Sequence, residues 1–133
     1  MGSYADTDIR ESTSVEKSIL IVEDNPNMSS LLEEMLEVFD YKSVRAASGQ
    51  EALTRLEKEK FAMVITDLKM PNMNGLELLK NIKEKNPGIP VVLISGYSIK
   101  ENLSDPNHPK PDGFLSKPFL MSDVEKLLNT LLA

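Results

Sequence analysis

Three short runs of consecutive apolar residues constrain the fold of this chain more than any other feature. They lie at Ser18–Glu23, Phe61–Thr66 and Pro90–Ser95. Apolar residues that follow one another without alternation are typical of strands buried on both faces. Between these runs, apolar residues recur at intervals of three and four, which predicts amphipathic helices. A chain of strands and helices in this order favours a parallel sheet with helices on both faces.

Two shorter strands complete the predicted sheet. They are expected at Lys42–Ala46, near a sheet edge, and at Gly113–Ser116. Because parallel strands are joined by right-handed crossovers, few topologies remain. We predict an α/β fold, a flavodoxin-like (βα)5 three-layer sandwich whose five parallel strands lie in the order 2-1-3-4-5.

The helix boundaries are marked by capping residues. Asn25 before Pro26 predicts a capped start to the first helix. Ser48, with Glu51 three residues later, has the spacing of a capping box at the start of the second helix. The third helix is predicted to stop at the Asn-Pro-Gly sequence of residues 86–88.

Prolines limit the helix between the fourth and fifth strands. Three prolines lie between positions 106 and 111, and proline cannot continue a helix because it removes a backbone donor. A shortened fourth helix is therefore expected, from about Ser98 to Asp105. His108, the single histidine, lies among these prolines and is expected in a solvated loop.

Length and composition exclude several classes of protein. A chain of 133 residues fits one domain, expected at residues 18–133 after a flexible leader at residues 1–17. The leader has no apolar core of a secretory signal, so a cytoplasmic location is expected, and no apolar run is long enough to span a membrane. The absence of cysteine excludes disulfides and zinc–thiolate sites. A net charge of −6 argues against direct binding of nucleic acid.

Polar residues follow the predicted strands where each strand ends. Glu23 and Asp24 follow the first strand, Asp67 the third, and Lys117 the fifth, while Ser95 ends the fourth. Because the carboxyl ends of parallel strands meet at one edge of a sheet, these side chains should converge in a single crevice.

This set of residues has a chemical interpretation that its members lack individually. An acidic pair after a strand is usually a helix cap, and a Lys-Pro pair or a strand-end serine is usually structural. Three clustered carboxylates, however, repel one another unless a cation lies between them, and Mg²⁺ prefers such oxygen ligands. Lys117 offers a point charge for a phosphoryl oxygen and Ser95 a hydroxyl donor. Together they predict phosphoryl transfer to a carboxylate.

Four segments that carry these residues resemble the receiver domain of response regulators in two-component signalling. The segments are Ile19–Pro26, Ile65–Gly75, Val91–Gly96 and Gly113–Phe119. They occur in the family's order and spacing, and the resemblance covers about residues 18–133. Two variants within it, at residues 94–97 and 112–115, resemble receivers attached to hybrid histidine kinases.

The resemblance implies a phosphoacceptor and a magnesium site. Asp67 matches the residue that takes a phosphoryl group from a phosphohistidine of a sensor histidine kinase or a histidine phosphotransfer protein, as in a phosphorelay. Asp24, Glu23, Asp67 and the backbone carbonyl of Lys69 match the ligands of Mg²⁺. Such a domain is not an enzyme with a separate substrate, because it catalyses only its own aspartyl phosphorylation and dephosphorylation.

The resemblance also implies a switch. Lys117 would pair with the phosphoryl group, and Ser95 would hydrogen-bond it on activation. Phe114 matches an aromatic residue that rotates inward as the serine moves, and Lys117-Pro118 matches the family's cis peptide. The face formed by the fourth helix, the fifth strand and the last helix would then present the state of the domain to an output partner. Neither nucleic acid nor a membrane is an expected direct partner.

Two alternatives stay open at this point. One is a pseudo-receiver, a binding module that works without phosphorylation, although the intact acidic, hydroxyl and lysine set argues against it. The other is a small phosphatase that uses Asp67 as its nucleophile. Such an enzyme normally has a second acid two residues later, where this chain has Lys69.

Overall fold

The structure, a computed structural model, describes residues 18–96 and 109–132. Within these residues, five strands and four helices follow one another along the chain. The strands are β1 (Ser18–Val22), β2 (Lys42–Ala46), β3 (Met63–Asp67), β4 (Val91–Ser95) and β5 (Gly113–Ser116). The helices are α1 (Pro26–Val38), α2 (Gly49–Lys58), α3 (Gly75–Lys85) and α4 (Met121–Leu132).

All five strands pair in parallel in the order β2-β1-β3-β4-β5, as predicted, and β2 lies at an edge. The register places Val22 beside Thr66, Asp67 beside Ile94, and Ser95 beside Ser116. The carboxyl ends of β1, β3, β4 and β5 are therefore nearly level. This alignment is what brings the polar residues at the strand ends to one edge of the sheet.

The core has two layers, one on each face of the sheet. Ile19 and Ile21 of β1 belong to the layer that α1 and α4 cover. Leu20 and Val22 of the same strand belong to the layer that α2 and α3 cover. Successive residues of a strand point to opposite faces, so a strand with helices on both sides has no polar face. This explains why the central strands are continuous apolar runs.

The helix starts agree with the sequence at one cap and differ at another. The Asn25 side chain accepts from the N–H groups of residues 27 and 28, as expected for a cap before Pro26. Ser48 accepts from the N–H of Glu51, but the Glu51 carboxylate accepts from the N–H of Ala47 instead of Ser48. The reciprocal half of the predicted capping box is thus displaced by one residue, beside a cap residue in extended conformation.

Some predictions lie outside the described residues. These are the leader at 1–17, the shortened fourth helix at 98–105, and His108. The label α4 here denotes the last helix. Among the described residues, no helix is long and apolar enough to cross a membrane.

Candidate functional site

Three carboxylates meet at the carboxyl edge of the sheet. Asp67 is the last residue of β3, and Glu23 and Asp24 directly follow β1, the strand next to it. Each of the three offers an oxygen, and these oxygens all lie within 4.8 Å of one another. Glu23 and Asp67 are buried, whereas Asp24 is exposed. The structure therefore brings together the acidic residues that the sequence predicted would converge.

Lys117 brings a positive charge to the same place. Its Nζ donates to Asp67 Oδ2 at 3.1 Å and lies 3.8 Å from Glu23 Oε1. The Lys117 N–H donates to the carbonyl of Ser95 at 2.9 Å, which continues the pairing of β5 with β4 by one residue. The peptide bond from Lys117 to Pro118 is cis, as the resemblance implied. The ammonium is thus held against the carboxylate of Asp67.

Asp67 is held by its own loop as well as by the lysine. Its Oδ1 accepts from the backbone N–H of Lys69 at 3.3 Å. Its backbone carbonyl accepts from the hydroxyl of Thr66 at 3.1 Å. The two carboxylate oxygens therefore face different donors, a main-chain amide on one side and an ammonium on the other.

The two carboxylate oxygens of Glu23 differ in their hydrogen bonding. Its Oε2 accepts from the N–H of Asn25 at 3.1 Å. Its Oε1 is buried and accepts no hydrogen bond from any residue in 18–96 or 109–132. Burial raises the pKa of Glu23 from 4.5 to about 7; the bond from Asn25 opposes this rise, and the negative charge of Asp67 adds to it.

The charges and donors of this cluster fit a divalent cation. Three carboxylates lie together here, and the ammonium of Lys117 lies 3.8 Å from Glu23 and 3.1 Å from Asp67. A buried carboxylate oxygen without a donor, such as Glu23 Oε1, is costly unless it gains a partner. Carboxylate oxygens at this spacing suit Mg²⁺, which binds one or two carboxylates and retains waters. The Lys69 carbonyl stays a predicted ligand.

Ser95 and Phe114 lie on neighbouring strands but differ in exposure. Ser95 is buried at the end of β4, level with the acidic residues. Phe114 pairs with Leu93, two residues before Ser95, and its side chain is 42% exposed. It lines a groove of about 360 Å³ between β5 and α4, together with residues such as Leu127. The aromatic side chain thus points outward in this conformation.

Several residues that support the site were not predicted from the sequence. Asn25 was identified only as a helix cap, although its N–H also binds Glu23. Asn74 and Glu77 form a complete capping box at the start of α3. Their spacing of three could have revealed this box. The N–H of Gly75 donates to the carbonyl of Leu68 at 2.8 Å, which ties the start of α3 to the loop after Asp67.

Comparisons with known proteins agree with this geometry. The family model described as the response regulator receiver domain matches residues 19–129. The response regulator receiver protein CpdR of Brucella abortus is 34% identical over 116 residues, which cover 84% of this chain and 97% of that protein. The transcriptional regulatory protein ZraR of Escherichia coli is 31% identical over 115 residues, covering 86% of this chain and 26% of ZraR. The chain thus spans about a quarter of that larger relative.

A solved structure is similar in fold. The response regulator protein TrrA of Thermotoga maritima superposes with a TM-score of 0.78 at 31% sequence identity, covering 86% of this chain and 98% of TrrA. That structure is a complex with Mg²⁺ and BeF.

Proposed function

The chain belongs to the response regulator receiver domain family, and we propose that it is a phosphoacceptor signalling domain in which Asp67 receives the phosphoryl group. Receiver domains are signalling modules rather than enzymes with separate substrates. One observation carries the proposal: the carboxylate of Asp67 lies 3.1 Å from the ammonium of Lys117 and beside the carboxylates of Glu23 and Asp24. We assign this function to one domain at residues 18–133.

Besides Mg²⁺, the transfer uses the groups that surround Asp67 and a phosphodonor. A carboxylate oxygen of Asp67 attacks the phosphorus of a partner phosphohistidine and forms a P–O bond. The P–N bond breaks, and its electron pair stays on the imidazole nitrogen that leaves. The product is an acyl phosphate on Asp67. Lys117, which now contacts Asp67 Oδ2, is placed to follow the new phosphoryl oxygens.

The acidic residues would hold Mg²⁺ during this step. Glu23, Asp24 and Asp67 would supply carboxylate oxygens, with the Lys69 carbonyl as a further ligand. When bound, Mg²⁺ supplies positive charge that offsets the repulsion between these carboxylates and the phosphoryl oxygens. The buried and unpartnered Oε1 of Glu23 supports this assignment.

The switch would run through Ser95 and Phe114. We assign to the Ser95 hydroxyl a hydrogen bond to the phosphoryl group, made as the end of β4 moves toward Asp67. Phe114, now 42% exposed, would turn inward into the space that this movement opens. The face of β5 and α4 would change shape and present the state of the domain to an output partner. The phosphodonor is a histidine kinase or a histidine phosphotransfer protein.

The proposal is tested by intact mass after incubation with acetyl phosphate and Mg²⁺. We expect the gain of one phosphoryl group, no gain in Asp67→Asn, and no gain when a chelator removes the metal. Asp40→Asn is a matched control, because Asp40 lies beyond the end of α1 in the left-handed region (φ 67°), which asparagine tolerates. It should label like the wild type. No labelling of the wild type would favour the pseudo-receiver, and equal labelling of Asp67→Asn would refute the assignment.

A further inference from the structure

Gly75, the first residue of α3, lies directly against the backbone that follows Asp67. A Cβ atom at this position would lie 2.6 Å from the carbonyl oxygen of Asp67 and 2.9 Å from the Cα of Leu68. Both distances are shorter than real Cβ contacts. Gly75 is buried, and its φ is not positive. The position therefore requires the absence of a side chain rather than a left-handed backbone.

The backbone that Gly75 touches also carries the phosphoacceptor. The Asp67 carbonyl and the Leu68 Cα both belong to the peptide unit that joins these two residues. The Asp67 side chain is attached to the Cα at the other end of the same unit. The carboxylate of Asp67 reaches Lys117 on one side and the N–H of Lys69 on the other. A shift of this peptide would turn the carboxylate away from both donors.

On this geometry we propose that Gly75 is a positioning residue for the phosphorylation of Asp67. Its missing side chain lets the start of α3 pack against the Asp67–Leu68 peptide and fix the direction of the Asp67 carboxylate. This inference rests on the proposed function, because it concerns how Asp67 is aimed at the phosphorus. Reacting groups displaced by about 1 Å can lose on the order of a hundredfold in rate.

The other glycines differ from Gly75 in the atoms that an added Cβ would meet. A Cβ at Gly113 would lie 2.6 Å from Cδ2 of Leu127, the end of a flexible side chain. A Cβ at Gly88 would meet nothing within 4 Å. Among the glycines in 18–96 and 109–132, Gly75 is the one whose added Cβ would meet main-chain atoms closer than 3.0 Å. A side chain can rotate away from such a contact, whereas the backbone after Asp67 has to move.

The capping box of α3 fixes the helix start that contacts the Asp67–Leu68 peptide. The side chain of Asn74 accepts from the N–H of Glu77 at 2.9 Å, and the Glu77 carboxylate accepts in return from the N–H of Asn74. The first turn of α3 is thereby fixed in place behind Asp67. Loosening the cap should disturb the same alignment without adding an atom.

The main experiment compares three glycine-to-alanine variants. The rate of Asp67 phosphorylation is measured by intact mass at saturating Mg²⁺ over a range of acetyl phosphate concentrations, and stability is measured by urea unfolding. We expect Gly75→Ala to lower the maximal rate on the order of tenfold, with little change in the half-saturating donor concentration. Gly113→Ala should lose stability and keep the wild-type rate. Gly88→Ala should change neither.

A second pair of variants avoids the risk that Gly75→Ala does not fold. Asn74→Ala removes the cap of α3, and Ser48→Ala removes the equivalent cap of α2, whose first residue, Gly49, lies against the Met73 side chain. Both lose one side-chain cap, so their stabilities should fall by similar amounts. We expect a slowing of about threefold in Asn74→Ala and none in Ser48→Ala.

The outcomes separate the two proposals. If the wild type is labelled and Gly75→Ala or Asn74→Ala slows while its control does not, the positioning role is supported. If the wild type is labelled and each variant of α3 matches the rate of its control, Gly75 only stabilises the fold and the inference fails. If the wild type is not labelled at all, the proposed function fails, and the positioning role is refuted with it.

Discussion

The two edges of the sheet use the same kinds of charged residue in opposite ways. At the amino edge, Lys83 Nζ donates to Asp112 Oδ2 and to the carbonyl of Ile89, each at 2.8 Å. The same Asp112 oxygen accepts from the N–H of Val91 at 2.8 Å. We call this pair of Lys83 and Asp112 the amino-edge clasp. It joins the end of α3 to the starts of β4 and β5, and each of its charges faces a partner.

The carboxyl edge lacks this balance. Three carboxylates lie together, the ammonium of Lys117 contacts those of Glu23 and Asp67, and one buried oxygen of Glu23 has no donor among the described residues. The charges of the amino-edge clasp pair with each other, whereas the carboxyl edge would gain its missing partner from the cation that we propose. The difference indicates that unbalanced charge at a strand end marks the site, and that balanced charge marks a structural tie.

The largest expected effect is the pH dependence of the unfolding free energy of the metal-free protein, and it tests this contrast between the two edges. The pKa of Glu23 is about 7 in the folded chain and 4.5 as its ordinary value, so between these values the folded protein keeps a proton that the unfolded chain has released. The unfolding free energy should therefore fall as the pH rises from about 4.5 to 7 and then level off. The shift corresponds to at most about 3 kcal/mol.

This prediction is measured by urea unfolding with a chelator present, at intervals from pH 5 to pH 8. Other groups also titrate in this range, so Glu23→Gln is the reference, and the difference between the two proteins isolates Glu23. Glu23→Gln should be the more stable of the two at pH 8. If Glu23→Gln instead became less stable than the wild type as the pH rises, the charge of Glu23 would not destabilise the carboxyl edge.

Breaking the amino-edge clasp should lower the unfolding free energy, by a smaller amount. Asp112→Ala removes the acceptor for both Lys83 and the N–H of Val91, and hydrogen bonds to charged groups contribute about 2 kcal/mol. We expect urea unfolding to show a loss of that size at every pH from 5 to 8. The rate of Asp67 phosphorylation should stay at the wild-type value. A changed rate with unchanged stability would mean that the two edges are coupled.

Most of the fold was predictable because its determinants are local. The apolar runs of β1, β3 and β4 specify strands buried on both faces, and the parallel topology then places Glu23, Asp67 and Lys117 at one edge. The candidate site therefore follows from where strands end, without knowledge of any distance. This is why the sequence predicts that the acidic residues and the lysine lie together, as they do in the structure.

The remaining features depend on contacts that no local pattern encodes. Lys83 and Asp112 are 29 positions apart and meet only because α3 and β5 both border β4. The role of Gly75 depends on the distance between a helix start and a neighbouring strand end. Whether Glu23 Oε1 finds a donor depends on the side-chain conformation within the cluster. Sequence spacing can predict that these residues lie near an edge of the sheet. It cannot predict which residues they contact.

Adding Mg²⁺ should stabilise the folded protein through the carboxyl edge, and the gain in unfolding free energy should be smaller still. At a Mg²⁺ concentration ten times its dissociation constant, binding to the folded state should raise the unfolding free energy by about 1.4 kcal/mol. The gain should be larger at pH 8 than at pH 6, because protons compete with the metal for Glu23 below its pKa of about 7. Urea unfolding with Mg²⁺, and with NaCl at equal ionic strength as control, measures it. A gain of equal size in Glu23→Gln would exclude Glu23 as a ligand.

The smallest effect is expected for a pair of charges that is exposed to solvent. Arg55 and Glu59 of the α2 region form an ion pair of 3.3 Å, one helical turn apart, with both side chains more than 40% exposed. Water and salt screen such a pair, so Glu59→Gln should cost less than about 0.5 kcal/mol in urea unfolding. The amino-edge clasp differs because Asp112 also accepts from the backbone and the Lys83 side chain is only 17% exposed. If Glu59→Gln cost as much as Asp112→Ala, charge pairing alone would account for both, and burial and backbone bonding would not distinguish the clasp.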